Sequence, residues 1–206
     1  MFKSIIASII LSAIASTAVA GTCQVQDTRV CAVFEKAQKF QQTRAIIWRE
    51  NSATPTVAAE YEWALGPADV VHLGNTRYFE DDAVFFLIAH ELGHSVKKHG
   101  RQFLEAFATE ADRGLPDREL VQKYAKTAME NDYKVGELSR KQELEADEFA
   151  IQLMLENGID PVKAMKGLLQ NKAGSEKYPS RRQRLAQAEQ IAKTYRPTST
   201  TVAALQ

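Results

Sequence analysis

The stretch Ala83–His94, AVFFLIAHELGH, decides the fold of this chain. Seven apolar residues lead into its second half without a glycine or proline, which indicates a buried helix. Glu80–Asp82 precede the run and suit the positive end of a helix, whereas Lys97–Gly100 follow it with cations and then a glycine. We therefore predict a helix from about Asp82 to His99.

Two histidines on this helix form a candidate metal site. His90 and His94 are four residues apart, so they share one helix face and can bind one ion. Glu91 lies about 100° round the helix, which keeps its carboxylate beside that ion. The H-E-x-x-H spacing is typical of zinc hydrolases in which the glutamate takes a proton from water. A solvated face carrying two histidines is the alternative, but the apolar run argues against it.

A catalytic zinc ion takes three protein ligands and leaves one position for water, so the motif requires a third ligand. The candidate segment is Ser139–Asp147, in which Ser139 and Gln142 have the spacing of a capping box at a helix start. Glu143 and Asp147 are four residues apart on that helix. We assign Glu143 as the third ligand, and Asp147 as the acceptor of a hydrogen bond from a ligand histidine.

Other polar residues near these motifs are weaker candidates. Glu137 and Glu148 remain alternatives to Glu143, since an acidic run can also be a solvated helix face. Glu145 projects about 200° away from Glu143 and is expected to face solvent. His99 is predicted to lie opposite His90, as a helix-end cation or a buried hydrogen-bonding group, and His72 is predicted to be structural.

Length and charge limit the classes of function. The chain has 206 residues, enough for one domain with a sizeable core. Its 26 basic and 26 acidic residues give a formal net charge of zero. There is no basic excess of the kind that indicates nucleic-acid binding.

The first 20 residues have the pattern of a secretory signal peptide. Lys3 supplies a positive start, an apolar core follows, and Ala18–Ala20 fits a small-x-small cleavage site. The core is shorter than a membrane span. We expect a cleaved leader and a periplasmic or secreted protein; an uncleaved, membrane-anchoring leader is the alternative.

The two cysteines, Cys23 and Cys31, follow the expected cleavage site. In an oxidising compartment they are expected to form a disulfide bond. The chain is then divided into a leader over residues 1–20, a single domain over residues 21–195 and a disordered tail over residues 196–206.

The remaining patterns predict an α+β fold that is predominantly helical. Cys31–Trp48 has an interrupted helical stripe, and Leu120–Val135 is also predicted to be helical. Val57–Trp63 and Asp69–Leu73 resemble short strands of a hairpin, separated by Gly66-Pro67. We expect this small β-sheet to lie beside the active-site helix.

The two motifs together resemble the HtpX-type and CAAX-prenyl-protease-like zinc metallopeptidases. His90–His94 followed by Glu143–Asp147 matches the H-E-x-x-H and E-x-x-x-D pattern of that family, and the similarity spans about Val57–Leu185. The resemblance implies a zincin-like domain, one zinc ion per chain, and the first glutamate of the second motif as ligand. The family's transmembrane helices are missing, which implies a soluble, exported member.

One departure from the family concerns the end of the domain. Many members have a His-Pro pair there and an arginine five residues after the proline; here the pair is Tyr178-Pro179 and the arginine is Arg184. Tyr178 is expected either to donate a hydrogen bond to the oxyanion or to pack at a helix start. Arg184 is expected to contact the oxyanion or the substrate backbone.

The expected function is zinc-dependent hydrolysis of internal peptide bonds in envelope proteins, as part of protein quality control. The partners are then polypeptides that are misfolded or unassembled. The alternative is an assembly factor or chaperone that keeps the metal fold and cuts little.

Overall fold

The structure is a computed structural model and describes residues 27–37, 45–50, 59–62, 68–73, 76–169, 174–175 and 177–196. The helices in this part of the chain are α1 (Thr28–Ala37), α2 (Asp81–Val96), α3 (His99–Glu105), α4 (Asp117–Glu130), α5 (Gly136–Glu156), α6 (Pro161–Leu168) and α7 (Arg181–Thr194). The strands are β1 (Ala45–Glu50), β2 (Ala59–Glu62) and β3 (Ala68–Leu73). Short 3-10 turns lie at Thr76–Tyr78, Glu110–Asp112 and Asp132–Val135.

Helix α2 is the centre of the fold. Asp81 and Asp82 occupy its first turn, where negative charge is favourable. From Ala83 to His94 its residues are buried, with Leu87 as the partly exposed one. A helix that is apolar on all sides has to be covered on all sides, and α2 is packed against α1, α5, α6 and β2.

Two separate hydrophobic clusters stabilise the described residues. The larger cluster joins α1, α2, α5, α6 and α7. Its largest fully buried side chains are Phe34, Phe86, Ile88, Leu92, Ile151, Leu153, Met154 and Met165. The smaller cluster lies between α3 and α4 and contains Leu104, Ala108, Leu120, Val121, Tyr124 and Ala128.

The predicted fold class is wrong in its description of the β-sheet. The sequence predicts a two-stranded hairpin and a helix over Cys31–Trp48, but α1 ends at Ala37 and a third strand, β1, follows it. The strand order is β1-β3-β2, with β1 parallel and β2 antiparallel to β3. Ile46-Ile47-Trp48 is β-branched and aromatic, a composition that favours a strand. The helical stripe is therefore interrupted because the chain changes its structure there.

The predicted end of the metal helix is also wrong. Helix α2 ends at Val96, and Lys98 adopts a left-handed conformation with φ 58° and ψ 39°. Non-glycine residues seldom adopt this conformation, so a lysine at this position does not predict a turn. His99 then begins α3 instead of ending α2.

The helix starts in the second half differ in part from prediction. Helix α5 begins at Gly136, so Ser139 lies inside it and is not an N-cap; the preceding 3-10 turn leads directly into the helix. A capping box is present at α7, between Ser180 and Gln183. Gly158, with φ 70°, lies just after the end of α5. Among the described residues, no helix is long and apolar enough to cross a membrane.

Candidate metal centre

Helices α2 and α5 cross at short range, and the crossing brings the two sequence motifs together. A Cβ placed on Gly93 of α2 would lie 3.0 Å from both the Cα and the carbonyl oxygen of Ala146 on α5. Only glycine allows the two backbones to approach this closely. As a result, His90 and His94 on α2 face Glu143 on α5.

The side chains of His90, His94 and Glu143 meet at the crossing and form a ligand triangle, with one residue at each corner. His90 Nε2 lies 3.4 Å from Glu143 Oε2, and His94 Nε2 lies 3.5 Å from Glu143 Oε1. The two Nε2 atoms are 3.3 Å apart. In a tetrahedral zinc site with bonds of about 2.0–2.2 Å, ligand atoms are roughly 3.3–3.6 Å apart. The three residues therefore fit one zinc ion.

A buried carboxylate orients the first histidine. His90 Nδ1 is 2.9 Å from Asp147 Oδ1, so its Nε2 faces the ligand triangle. Arg184 donates from Nε to Asp147 Oδ2 at 2.6 Å and from Nη2 to Oδ1 at 2.5 Å. Asp147 is fully buried and the Arg184 side chain is 11% exposed. The guanidinium is thus engaged by Asp147 and shielded, which is not the open position expected for a group that contacts substrate.

A second histidine lies behind His94. His99 Nδ1 is 2.9 Å from His94 Nδ1, and His99 Nε2 is 3.1 Å from Glu145 Oε2. His99 is 2% exposed. The predicted alternative of a buried hydrogen-bonding group is confirmed for His99. Its predicted placement on the face opposite His90 is wrong, because the helix assumed in that prediction is broken at Lys98. The prediction that Glu145 faces solvent holds only in part, since its side chain is 31% exposed but its carboxylate contacts this buried ring.

The electrostatics of the cluster differ between its two histidines. Burial opposes charge on His90, but its hydrogen bonds to Asp147 and Glu143 outweigh burial and raise its pKa to about 10. Burial lowers the pKa of His94, and the nearby charge of His90 lowers it further. Burial would raise the pKa of Glu143, yet the two histidines hold it far below its usual range. Glu143 is therefore an anion in the metal-free site.

The structure places the other predicted catalytic residues around this cluster. Glu91 is buried on α2. Burial opposes the charge of Arg184, but Asp147, Glu143 and Glu91 together raise its pKa, so Glu91 lies within electrostatic range of that guanidinium.

Tyr178 is 56% exposed and lines a cavity of about 220 Å³ that also has His94 and Glu143 in its wall. Phe103 lines the same cavity. The segment carrying Tyr178 is held by an ion pair from the neighbouring Lys177 to Asp132.

Several predictions fall on parts of the chain that the structure does not describe. The leader, Cys23 and the tail from residue 197 lie outside the described residues. The Cys23–Cys31 pairing therefore stays a prediction. His72 lies in β3, where its backbone pairs with β1 and β2.

Sequence reasoning missed one part of the site, the contact of His99 with His94 and Glu145. The available signal was a third histidine five residues after His94, in the run HSVKKH. The prediction assumed one continuous helix and therefore placed His99 on the wrong face. Residues 94–99 do not form one continuous helix.

Comparison with known protein families identifies the family of this chain. A family model described as Peptidase family M48 matches residues 69–192, which is more than half of the chain and includes both motifs. Neither the curated proteins nor the solved structures contain a match to the chain.

Proposed function

The chain belongs to peptidase family M48, and from this membership and the site geometry we propose that it is a zinc-dependent endopeptidase. The observation that carries the proposal is the ligand triangle of His90, His94 and Glu143. The two histidine Nε2 atoms are 3.3 Å apart, and each lies 3.4 or 3.5 Å from one of the two carboxylate oxygens of Glu143. Those spacings suit a tetrahedral ion with one further position for water or substrate.

In this proposal each polar group of the site has a separate task. His90, His94 and Glu143 would hold zinc, and the bound ion would polarise the scissile carbonyl and make water acidic enough to lose a proton near neutral pH. Asp147 keeps the proton of His90 on Nδ1, so that Nε2 stays available as a ligand. Arg184 holds Asp147 through two hydrogen bonds.

Glu91 is the proposed general base and acid. It takes a proton from the attacking water as the oxygen bonds to the carbonyl carbon. It then gives that proton to the nitrogen of the leaving amine as the C–N bond breaks. Its neighbours His90 and His94 fix its position, because all three lie on the continuous helix α2.

Tyr178 is proposed to donate a hydrogen bond to the oxyanion that forms during attack. Support comes from its position in the wall of the cavity that also contains His94 and Glu143. Its exposure of 56% leaves it accessible to a substrate that enters this cavity.

The substrate class and the cellular location of the enzyme are proposed from the sequence. The leader pattern at residues 1–20 supports an exported, periplasmic or secreted protein. Polypeptides of the envelope that are misfolded or unassembled would then be the substrates. The similarity of the two motifs to the HtpX-type branch supports a role in protein quality control.

The substitution Glu91→Gln tests the proposed reaction. It keeps the size of the side chain but removes the proton acceptor, so we expect cleavage of an unfolded casein-type substrate to fall by about 10²- to 10⁴-fold. Zinc content should stay unchanged, because Glu91 is not one of the ligands.

Glu80→Gln is the matched control, since Glu80 is exposed and lies just before α2. It should cleave at the wild-type rate. Wild-type activity in Glu91→Gln would contradict the mechanism. Stable capture of unprocessed clients by the wild-type protein would instead favour the chaperone alternative.

A further inference from the structure

The two histidine ligands are supported in different ways. His90 contacts a carboxylate directly, through Asp147. His94 has an imidazole in that place: its Nδ1 lies 2.9 Å from His99 Nδ1, and the carboxylate of Glu145 lies on the far side of the His99 ring. The support of His94 is therefore a chain of three side chains, Glu145–His99–His94.

The contacts among Glu145, His99 and His94 determine which ring nitrogen of each histidine carries the proton. His94 Nε2 faces the ligand triangle and needs its lone pair there, so its proton is on Nδ1. The contact between the two Nδ1 atoms then requires His99 Nδ1 to be the acceptor. The proton of His99 is consequently on Nε2, where the Glu145 carboxylate accepts it at 3.1 Å. This assignment satisfies all three contacts with neutral rings.

The backbone around His99 is arranged to present its ring in this way. The left-handed turn at Lys98, with φ 58°, ends α2 and directs the chain back toward it. The amide of Gln142 on α5 donates to the carbonyl oxygen of His99 at 3.1 Å. The ring of His99 packs edge-on against that of His94, with centroids 4.9 Å apart. Burial of His99 excludes water from this contact.

We propose that His99 is a positioning residue for the ligand His94, fixing its tautomer and ring orientation with the help of Glu145. This inference rests on the proposed zinc site. Partners of ligand histidines commonly change metal affinity by about 10- to 100-fold when they are removed. The Glu145–His99 pair should act on zinc affinity in the same way.

Three variants separate the hydrogen-bonding role of His99 from packing. His99→Phe fills the ring volume without an acceptor for His94. His99→Asn is smaller but can place its side-chain oxygen near the position of Nδ1. Glu145→Ala leaves both rings and removes the terminal acceptor. Glu148→Ala, one turn from Glu145 on α5 and not in contact with His99, is the control.

The readout is the zinc dissociation constant, measured by competition with a chromophoric chelator, together with thermal unfolding of the metal-free proteins. We expect zinc affinity to fall by about 10- to 100-fold in His99→Phe and less in His99→Asn. Glu145→Ala should lose several-fold, and Glu148→Ala should match the wild type. A role in packing alone predicts the reverse order, with His99→Asn as the more damaged protein.

Each outcome bears on the inference. If a folded His99→Phe protein binds zinc as tightly as the wild type, the positioning role of His99 is wrong, but the proposed zinc site is unaffected. If His99→Phe does not fold, wild-type zinc affinity in Glu145→Ala leads to the same conclusion. Failure of the wild-type protein itself to bind zinc would overturn the proposed function, and is recognised before any variant is compared.

Discussion

His90 differs from the second histidine ligand, His94, because it carries a positive charge in the metal-free site. Its pKa is raised to about 10, whereas that of His94 is lowered and that of Glu143 is far below its usual range. The charged form of His90 therefore stabilises the metal-free fold. That contribution is complete below about pH 6.5 and is lost as the pH rises through about 10.

Zinc binding should consequently release one proton at about pH 6. Zinc needs the neutral imidazole of His90, so the apparent affinity should rise about tenfold per pH unit between about pH 5.5 and 6.5, below the pKa of about 7 of zinc-bound water. Calorimetric titration in buffers of different ionisation enthalpy measures the number of protons released. At pH 6, where zinc-bound water keeps its protons, release of no proton or of two would contradict the charges assigned here.

At the residue scale, the sequence was informative where one unbroken helix sets the geometry. His90 and His94 lie four apart within α2, and Glu143 and Asp147 lie four apart within α5, so their shared faces follow from helical spacing. The position of His99 could not be predicted, because it depends on a left-handed turn at a lysine.

At the scale of elements, the site depends on how closely α2 approaches α5. Gly93→Ala would place a Cβ 3.0 Å from the Cα and carbonyl oxygen of Ala146. The helices must then separate, at a cost of about 1–3 kcal/mol, which exceeds the gain of about 0.5–1 kcal/mol in helix propensity. We expect a melting temperature lower by several degrees and weaker zinc binding, because Glu143 moves away from the histidines.

Gly167→Ala is the matched control for this substitution. Gly167 lies inside α6, and a Cβ there would meet no atom within 4 Å. The alanine should leave the melting temperature unchanged or raise it slightly, and zinc affinity should not change. Equal stability of Gly93→Ala and Gly167→Ala in thermal unfolding would show that the helix crossing tolerates a methyl group.

The elements before α2 show why local sequence patterns do not suffice to predict the secondary structure there. Residues 31–48 contain apolar positions that fit a helix, but the chain uses them for two elements, α1 and β1. The parallel pairing of β1 with β3 joins residues 23 positions apart, such as Ala45 and Ala68. Such long-range pairing leaves no local trace in a sequence.

At the scale of the whole molecule, the metal centre lies within the larger hydrophobic cluster. Helices α2, α5 and α7 contribute its polar groups, and all three also contribute to that cluster. Helices α3 and α4 form a second unit with its own apolar cluster. Arg101 links this unit internally, through Glu105 and Asp117 and the carbonyl oxygens of Arg113 and Leu115.

Polar contacts join the two units. His99, the first residue of α3, contacts His94 of α2 and Glu145 of α5, and its carbonyl accepts from Gln142. The second unit thus reaches the metal centre through the same residue that we assign to positioning. Its separate core was not predicted, because helical stripes do not show which helices pack together.

The zinc content of purified Glu143→Ala, by elemental analysis, is the most direct test of the metal centre. We predict about one zinc per chain in the wild-type protein and loss of most of it in Glu143→Ala, since two histidines alone hold zinc weakly. Glu148→Ala, on the same helix and outside the triangle, should keep its zinc. Full zinc occupancy in Glu143→Ala would contradict the assignment of Glu143 as a ligand and with it the proposed active site.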